Sequence, residues 1–107
     1  IERAKKTATH LKNEENCHFV ICLSHLGFDY SSKKVSDLVL GKNSKNIDMI
    51  IGGHTHTFLT EPTVVKNKKG ARVLVNQVGA YGLNLGRIDF FFDEQVNKTS
   101  RENIISV

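Results

Sequence analysis

The sequence predicts an α/β fold in which a parallel strand–helix–strand unit is followed by antiparallel strands. Three observations lead there. Two short apolar runs, residues 18–23 and 47–51, are too short for helices and read as buried strands. Each is preceded by a helix-compatible stretch, the alternation that builds parallel sheets. The second half of the chain lacks that alternation and carries a hairpin pattern around a glycine turn instead.

Taken in order, residues 2–15 (ERAKKTATHLKNEE) hold charged and helix-forming types with no Gly or Pro, and place Ala4, Ala8 and Leu11 on one helical face. His10 on this helix reads as a surface residue. HFVICL (18–23) is the first buried strand and stops at Ser24-His25-Leu26-Gly27. Ser31-Ser32 is a capping signal for a short helix carrying Val35, Leu38, Val39 and Leu40, closed by Gly41. IDMII (47–51) repeats the strand pattern and ends at Gly52-Gly53. Residues 63–66 and 72–76 flank the turn 67–70 as a hairpin, 86–92 (GRIDFFF) reads as a further strand, and 103–107 as a last one.

At 107 residues the chain is long enough for one core, so one domain or a piece of one is expected. The net charge of +4 comes from lysines scattered among acids and not interleaved with aromatics. This is the pattern of a solvated surface, and a nucleic-acid polymer is not an expected partner. No run approaches the roughly 18 apolar residues of a membrane span. The opening Ile1-Glu2-Arg3-Ala4 has neither an initiator methionine nor a signal peptide, so the chain reads as beginning inside a longer protein. Cys17 and Cys22 say nothing firm about redox compartment, since a thiol inside an apolar run behaves as a small hydrophobe.

In open α/β sheets, ligands gather beyond the carboxyl ends of parallel strands. His25 follows the first strand by two residues and His54 follows the second by three, with His56 two residues further on. A lone histidine at such a place is read as capping a loop or bonding a turn. Three of them on adjacent strand ends read as a metal cluster, because neutral imidazole ligates zinc, manganese, iron and nickel. If the segment 54–56 is extended, the two rings project to one side, roughly 6.5 Å apart along the chain, towards one ion or two neighbouring ones. Gly27, Gly52 and Gly53 allow unusual dihedrals and close backbone approach. Phe28 and Tyr30, beside His25, are expected to pack in the core or at a rim, and Asp29 to form a turn or support a ligand.

LSHLG (23–27) and DMIIGGHTH (48–56), followed by QVGAYG (77–82) and LGRID (85–89), resemble in the same order the C-terminal half of a calcineurin-like metallophosphoesterase domain, nearest to the 5'-nucleotidase type. The resemblance runs from about Phe19 to Phe92. It implies part of an α/β/β/α sandwich and a two-metal hydrolase of phosphate monoesters, with nucleotides as the foremost substrates. The family's pattern would put His25 and His54 on one divalent ion and His56 on the other. Zinc, manganese and iron are the candidate ions, two per complete site. Some nucleotidases have Gln or Asn where this chain has His56, so that position follows the broader superfamily. The resemblance also implies a periplasmic, exported or cell-surface setting and a role in nucleotide breakdown.

The family's N-terminal motifs are Asp-x-His, a metal-bridging Asp, and Gly-Asn-His followed by Glu or Asp. None of them occurs in these residues. Residues 1–107 are therefore expected to be the C-terminal portion of a catalytic domain. The catalytic acid would lie upstream, the isolated piece would be inactive, and its bare strands would be covered by the missing N-terminal half or by a second copy. The competing readings are a non-catalytic metal-binding or interaction module and a degenerate superfamily member.

Overall fold

A computed structural model describes residues 1–93 and 98–106, the last nine as backbone. The first helix, α1 (Glu2–Asn13), carries Glu2 in its first turn and His10 and Lys12 in its last, each sign where it complements the helix dipole. Its apolar stripe is the expected one: Ala8 is buried, with Ala4 and Leu11 packed against the same core.

Strands β1 (Ile21–Leu23), β2 (Met49–Ile51), β3 (Thr63–Lys66) and β4 (Arg72–Asn76) form one mixed sheet in the order β1-β2-β4-β3. The first three in that order are parallel, with Ile21 opposite Met49 and Met49 opposite Leu74, while β3 closes the edge antiparallel to β4. The hairpin turn over 67–70 is held by Asn67, whose side chain accepts from the amides of Lys69 and Ala71. The α/β architecture with parallel strands grading into antiparallel ones is thus observed.

The helix between β1 and β2 differs from the sequence expectation. It is α2 (Asp37–Asn43), and its cap is Ser36, whose hydroxyl accepts from the Val39 amide at 3.2 Å. Ser31 and Ser32 lie in a bend before it. Gly41 is inside the helix, where Val65 leaves no room: a Cβ there would meet the Val65 Cγ2 at 2.8 Å. Packing thus fixes this glycine, and the helix ends two residues later at Asn43.

One face of the sheet carries the core. Ile50, Val73 and Val75 are fully buried and pack with Ala8, Val20, Leu40 and Ile47 beneath the two helices. An ion pair pins this layer at its start: Lys12 Nζ lies 2.8 Å from Asp48 Oδ2, which also accepts the Val20 amide. The opposite face is only partly covered. The strand pair β5 (Asn84–Phe92) and β6 (Lys98–Ser106) lies over it, anchored by Phe19 against Phe90 with ring centroids 4.1 Å apart. Between the two sheets runs a cleft of about 510 Å³ lined by Ile21, Met49, Ile51, Leu85, Ile88 and Phe90 among others. The run 18–23 is therefore not buried on both faces, because Leu23 is 80% exposed and Ile21 49%. The last expected strand, 103–107, is the end of β6, with Val107 outside the described residues.

Replacing Ile50 by Ala should lower the urea unfolding free energy by about 2–5 kcal/mol, the cost of a cavity at a site with no exposure. A loss below about 1 kcal/mol in urea titration would mean that β2 is not the centre of the core.

Candidate metal centre

The parallel strands end in step. Ser24 donates its amide to the Ile51 carbonyl at 2.9 Å, and Gly52 donates to the Asn76 carbonyl at the same distance, so three chain segments leave the sheet together. The first two carry His25 and Gly53-His54. The rings of His25 and His54 are 5.0 Å apart at 66°, edge to face, and both residues are exposed. Gly53 sits against this pair: a Cβ on it would be 3.2 Å from His25 Nδ1.

The segment 54–56 is not extended. His54 has φ 75° and His56 φ 53°, both in the left-handed region that residues with a Cβ seldom occupy, at a cost on the order of 1–2 kcal/mol each. The Thr55 amide folds back onto the Gly53 carbonyl at 3.0 Å. Two left-handed residues around one turn send the rings apart. His54 faces His25, and His56 packs instead against Tyr81 with centroids 5.5 Å apart. The structure thus brings two of the three sequence-predicted residues together and sets the third beside a tyrosine that is 87% exposed. Among the described residues no three His, Cys, Asp or Glu side chains converge closely enough to hold an ion.

Two buried side chains that carried no assigned role in the sequence shape these loops. Gln77, directly after β4 and 2% exposed, reaches into the histidine turn. Its Oε1 accepts from the Thr57 amide and the Thr55 hydroxyl, and its Nε2 donates to the Gly53 carbonyl at 3.0 Å. The Thr55 hydroxyl also accepts the Phe28 amide at 3.0 Å, tying this turn to the loop after His25. Asp37, at the start of α2, is fully buried and accepts the Ser24 hydroxyl on one oxygen, while the other has no partner among the described residues. Burial pushes its carboxyl above the ordinary 3.8, and the Ser24 bond and the charge of His25 offset part of that rise. Glycine suits position 52 beside it, since a Cβ there would collide with the Asp37 carboxyl. The Ser36-Asp37 pair is itself a capping signal that marks α2. Gln77 is visible in the sequence as a polar residue at the end of an apolar run and as the first residue of QVGAYG, but neither signal gives it a role. Phe28 packs against the core, and the Asp29 carboxylate accepts the amide of Tyr30.

As a donor set, His25 and His54 fit part of a metal site. They are exposed nitrogen bases held side by side over backbone that glycine keeps open. No carboxylate joins them among the described residues.

Comparison with known proteins yields no matching family model. Individual relatives are clear. The chain is 39% identical over 104 residues to the trifunctional nucleotide phosphoesterase of Bacillus subtilis, covering 96% of this chain and 7% of that protein. It is 31% identical over 112 residues to an apyrase of Tabanus yao, covering 91% of this chain and 19% of the relative. Among solved structures, a 5'-nucleotidase precursor from Thermus thermophilus superposes with a TM-score of 0.77 at 28% identity, over 98% of this chain and 22% of that one. The chain thus spans under a quarter of each of these proteins.

Because the folded carboxyl of Asp37 is raised, the charged form costs stability. The contribution is whole below the ordinary value of 3.8 and is lost as pH rises through the raised one. Asp37→Asn, neutral throughout, should therefore gain on the native chain as pH rises above the ordinary carboxyl value of 3.8. Urea midpoints of the two proteins across that rise decide it, and a native chain that gains on the variant would contradict the assignment.

Proposed function

We propose, from the premise that this chain is kin over nearly its whole length to a segment of 5'-nucleotidase-type phosphoesterases, that residues 1–107 form the C-terminal portion of the catalytic domain of a metal-dependent hydrolase. Its substrates are phosphate monoesters, with nucleotides foremost. The observation that carries this reading is the placement of His25 and His54, rings 5.0 Å apart, where two parallel strands end in step.

In this reading His25 and His54 donate ring nitrogens to one divalent cation, and His56 turns towards a second. When bound, such a pair of ions supplies Lewis acidity to the phosphoryl oxygens and lowers the pKa of an attacking water. The chain's own residues do the rest. Gly52 and Gly53 let the backbone approach the phosphate closely, and the turn 53–57 fixes where the imidazoles stand. Charge on the ester needs no buried cation from the chain, consistent with lysines spread over the surface. Zinc, manganese and iron all suit imidazole, and the donor set alone does not choose among them. Relatives that include a precursor protein favour an exported setting. No helix among the described residues is long and apolar enough to cross a membrane.

The absence of a convergent third donor among the described residues supports the further reading that this portion by itself binds metal weakly and does not turn over substrate. The bare sheet face supports the same conclusion. Ile21, Leu23 and Ile51 all stand exposed, and in this reading the rest of the sandwich, or a second copy of the chain, covers them.

The isolated chain is expected to show no hydrolysis of an aryl phosphate with manganese or zinc, and the longer protein that contains it to be active and to lose activity on His54→Ala. Turnover by the isolated chain that vanishes with His54→Ala would show that the site is complete within these residues. Light scattering is expected to find the isolated chain dimeric or associated, against a monomer mass of 12.0 kDa. A cooperatively unfolding monomer would mean that the exposed strands need no cover.

A further inference from the structure

We infer that Gln77 is the positioning residue of the histidine turn, setting where His54 and His56 stand. The inference rests on the reading of those histidines as metal ligands for its consequence, but not for its geometry. The three groups Gln77 binds bracket both histidines in the chain: the Gly53 carbonyl before His54, the Thr55 hydroxyl between the two, and the Thr57 amide after His56. One planar amide therefore spans five residues and fixes their backbone relative to the end of β4. The two histidines inside that span hold left-handed backbone with φ of 75° and 53°, a conformation that persists only where surroundings over-determine it.

The demand on this residue is specific. Two of its contacts need an acceptor and one needs a donor, all from one short side chain at 2% exposure. Glutamate would keep the acceptors but put a carboxylate oxygen against the Gly53 carbonyl. Leucine would keep much of the bulk and lose all three bonds. Asparagine is a methylene too short to reach the turn from the same backbone position. The Thr55 hydroxyl extends the effect to the first loop, because it also accepts the Phe28 amide three residues after His25. Gln77 thus ties the ends of three strands together without itself touching a ligand.

The test uses the 107-residue chain and its Gln77→Glu and Gln77→Leu variants, read in two ways. The first is the imidazole nitrogen resonances in the metal-free protein, with His10 and His18 as internal references far from the turn. The second is the affinity for Zn²⁺ alone by calorimetry, with His54→Ala as the reference for losing a ligand. Displaced His54 and His56 resonances with His10 and His18 unmoved, together with Zn²⁺ binding weakened about 10- to 100-fold in a variant that still unfolds cooperatively, is the expected result. Should Gln77→Leu fail to fold, Gln77→Glu carries the test, since it retains two of the three contacts. Unmoved His54 and His56 resonances in a folded variant would overturn the inference whatever the metal does. If the native chain and His54→Ala respond alike to Zn²⁺ while the resonances still move with Gln77, the metal reading fails and the positioning role stands.

Discussion

The in-phase parallel ladder of β1, β2 and β4 is the constraint on which the rest of this structure depends. Because Ile21, Met49 and Leu74 stand opposite one another, the three strands run out together, and the residues beyond them are neighbours in space although they lie tens of positions apart in sequence. A slip of one residue would turn every side chain of a strand to the other face of the sheet. In β2 it would turn Ile50 out of the core, and in β1 it would turn Leu23 inward and remove His25 from beside His54. The same register that places Ile50 at the centre of the core therefore places the imidazole pair at the sheet's end.

Polar groups taken out of water surround that end. Asp37 and Asn76 each keep a buried oxygen without a hydrogen-bond partner among the described residues, an arrangement that costs free energy in a fold of ordinary marginal stability. Gln77 is equally buried but fully engaged, and its bonds hold two left-handed residues. Strain and desolvation thus concentrate at this end of the sheet, while the helix-covered side is apolar and well packed. A site held this way is pre-organised, because its geometry is supplied by buried amide chemistry in place of flexible surface contacts.

The two faces of the sheet are treated unequally. Helices α1 and α2 seal one side, whereas on the other the pair β5 and β6 leaves a cleft lined by Ile21 and Ile51, with Leu23 exposed. Similarity to 5'-nucleotidase-type proteins of which this chain spans less than a quarter fits that asymmetry, since relatives with a TM-score of 0.77 over this segment have much more chain to place against it. The imidazole pair stands at the end of the same sheet.

The sequence by itself determined the order of elements, the identity of the strand-end histidines and the kinship to the 5'-nucleotidase type. Apolar runs of strand length, glycine pairs and spaced histidines are local signals, and each is written in a few adjacent residues. What only the tertiary structure decided is long-range. The cap of α2 moved from Ser31-Ser32 to Ser36 because the Asp37 amide and its carboxylate are claimed by the Gly27 carbonyl and the Ser24 hydroxyl. The run 18–23 reads as buried on both sides, yet hydropathy cannot say whether anything lies over Leu23. An i, i+2 spacing fits convergent side chains on an extended strand, but left-handed backbone at His54 and His56 turned one ring to His25 and the other to Tyr81. That choice was made by Gln77, more than twenty residues away, through hydrogen bonds that exist only once β4 lies beside β2.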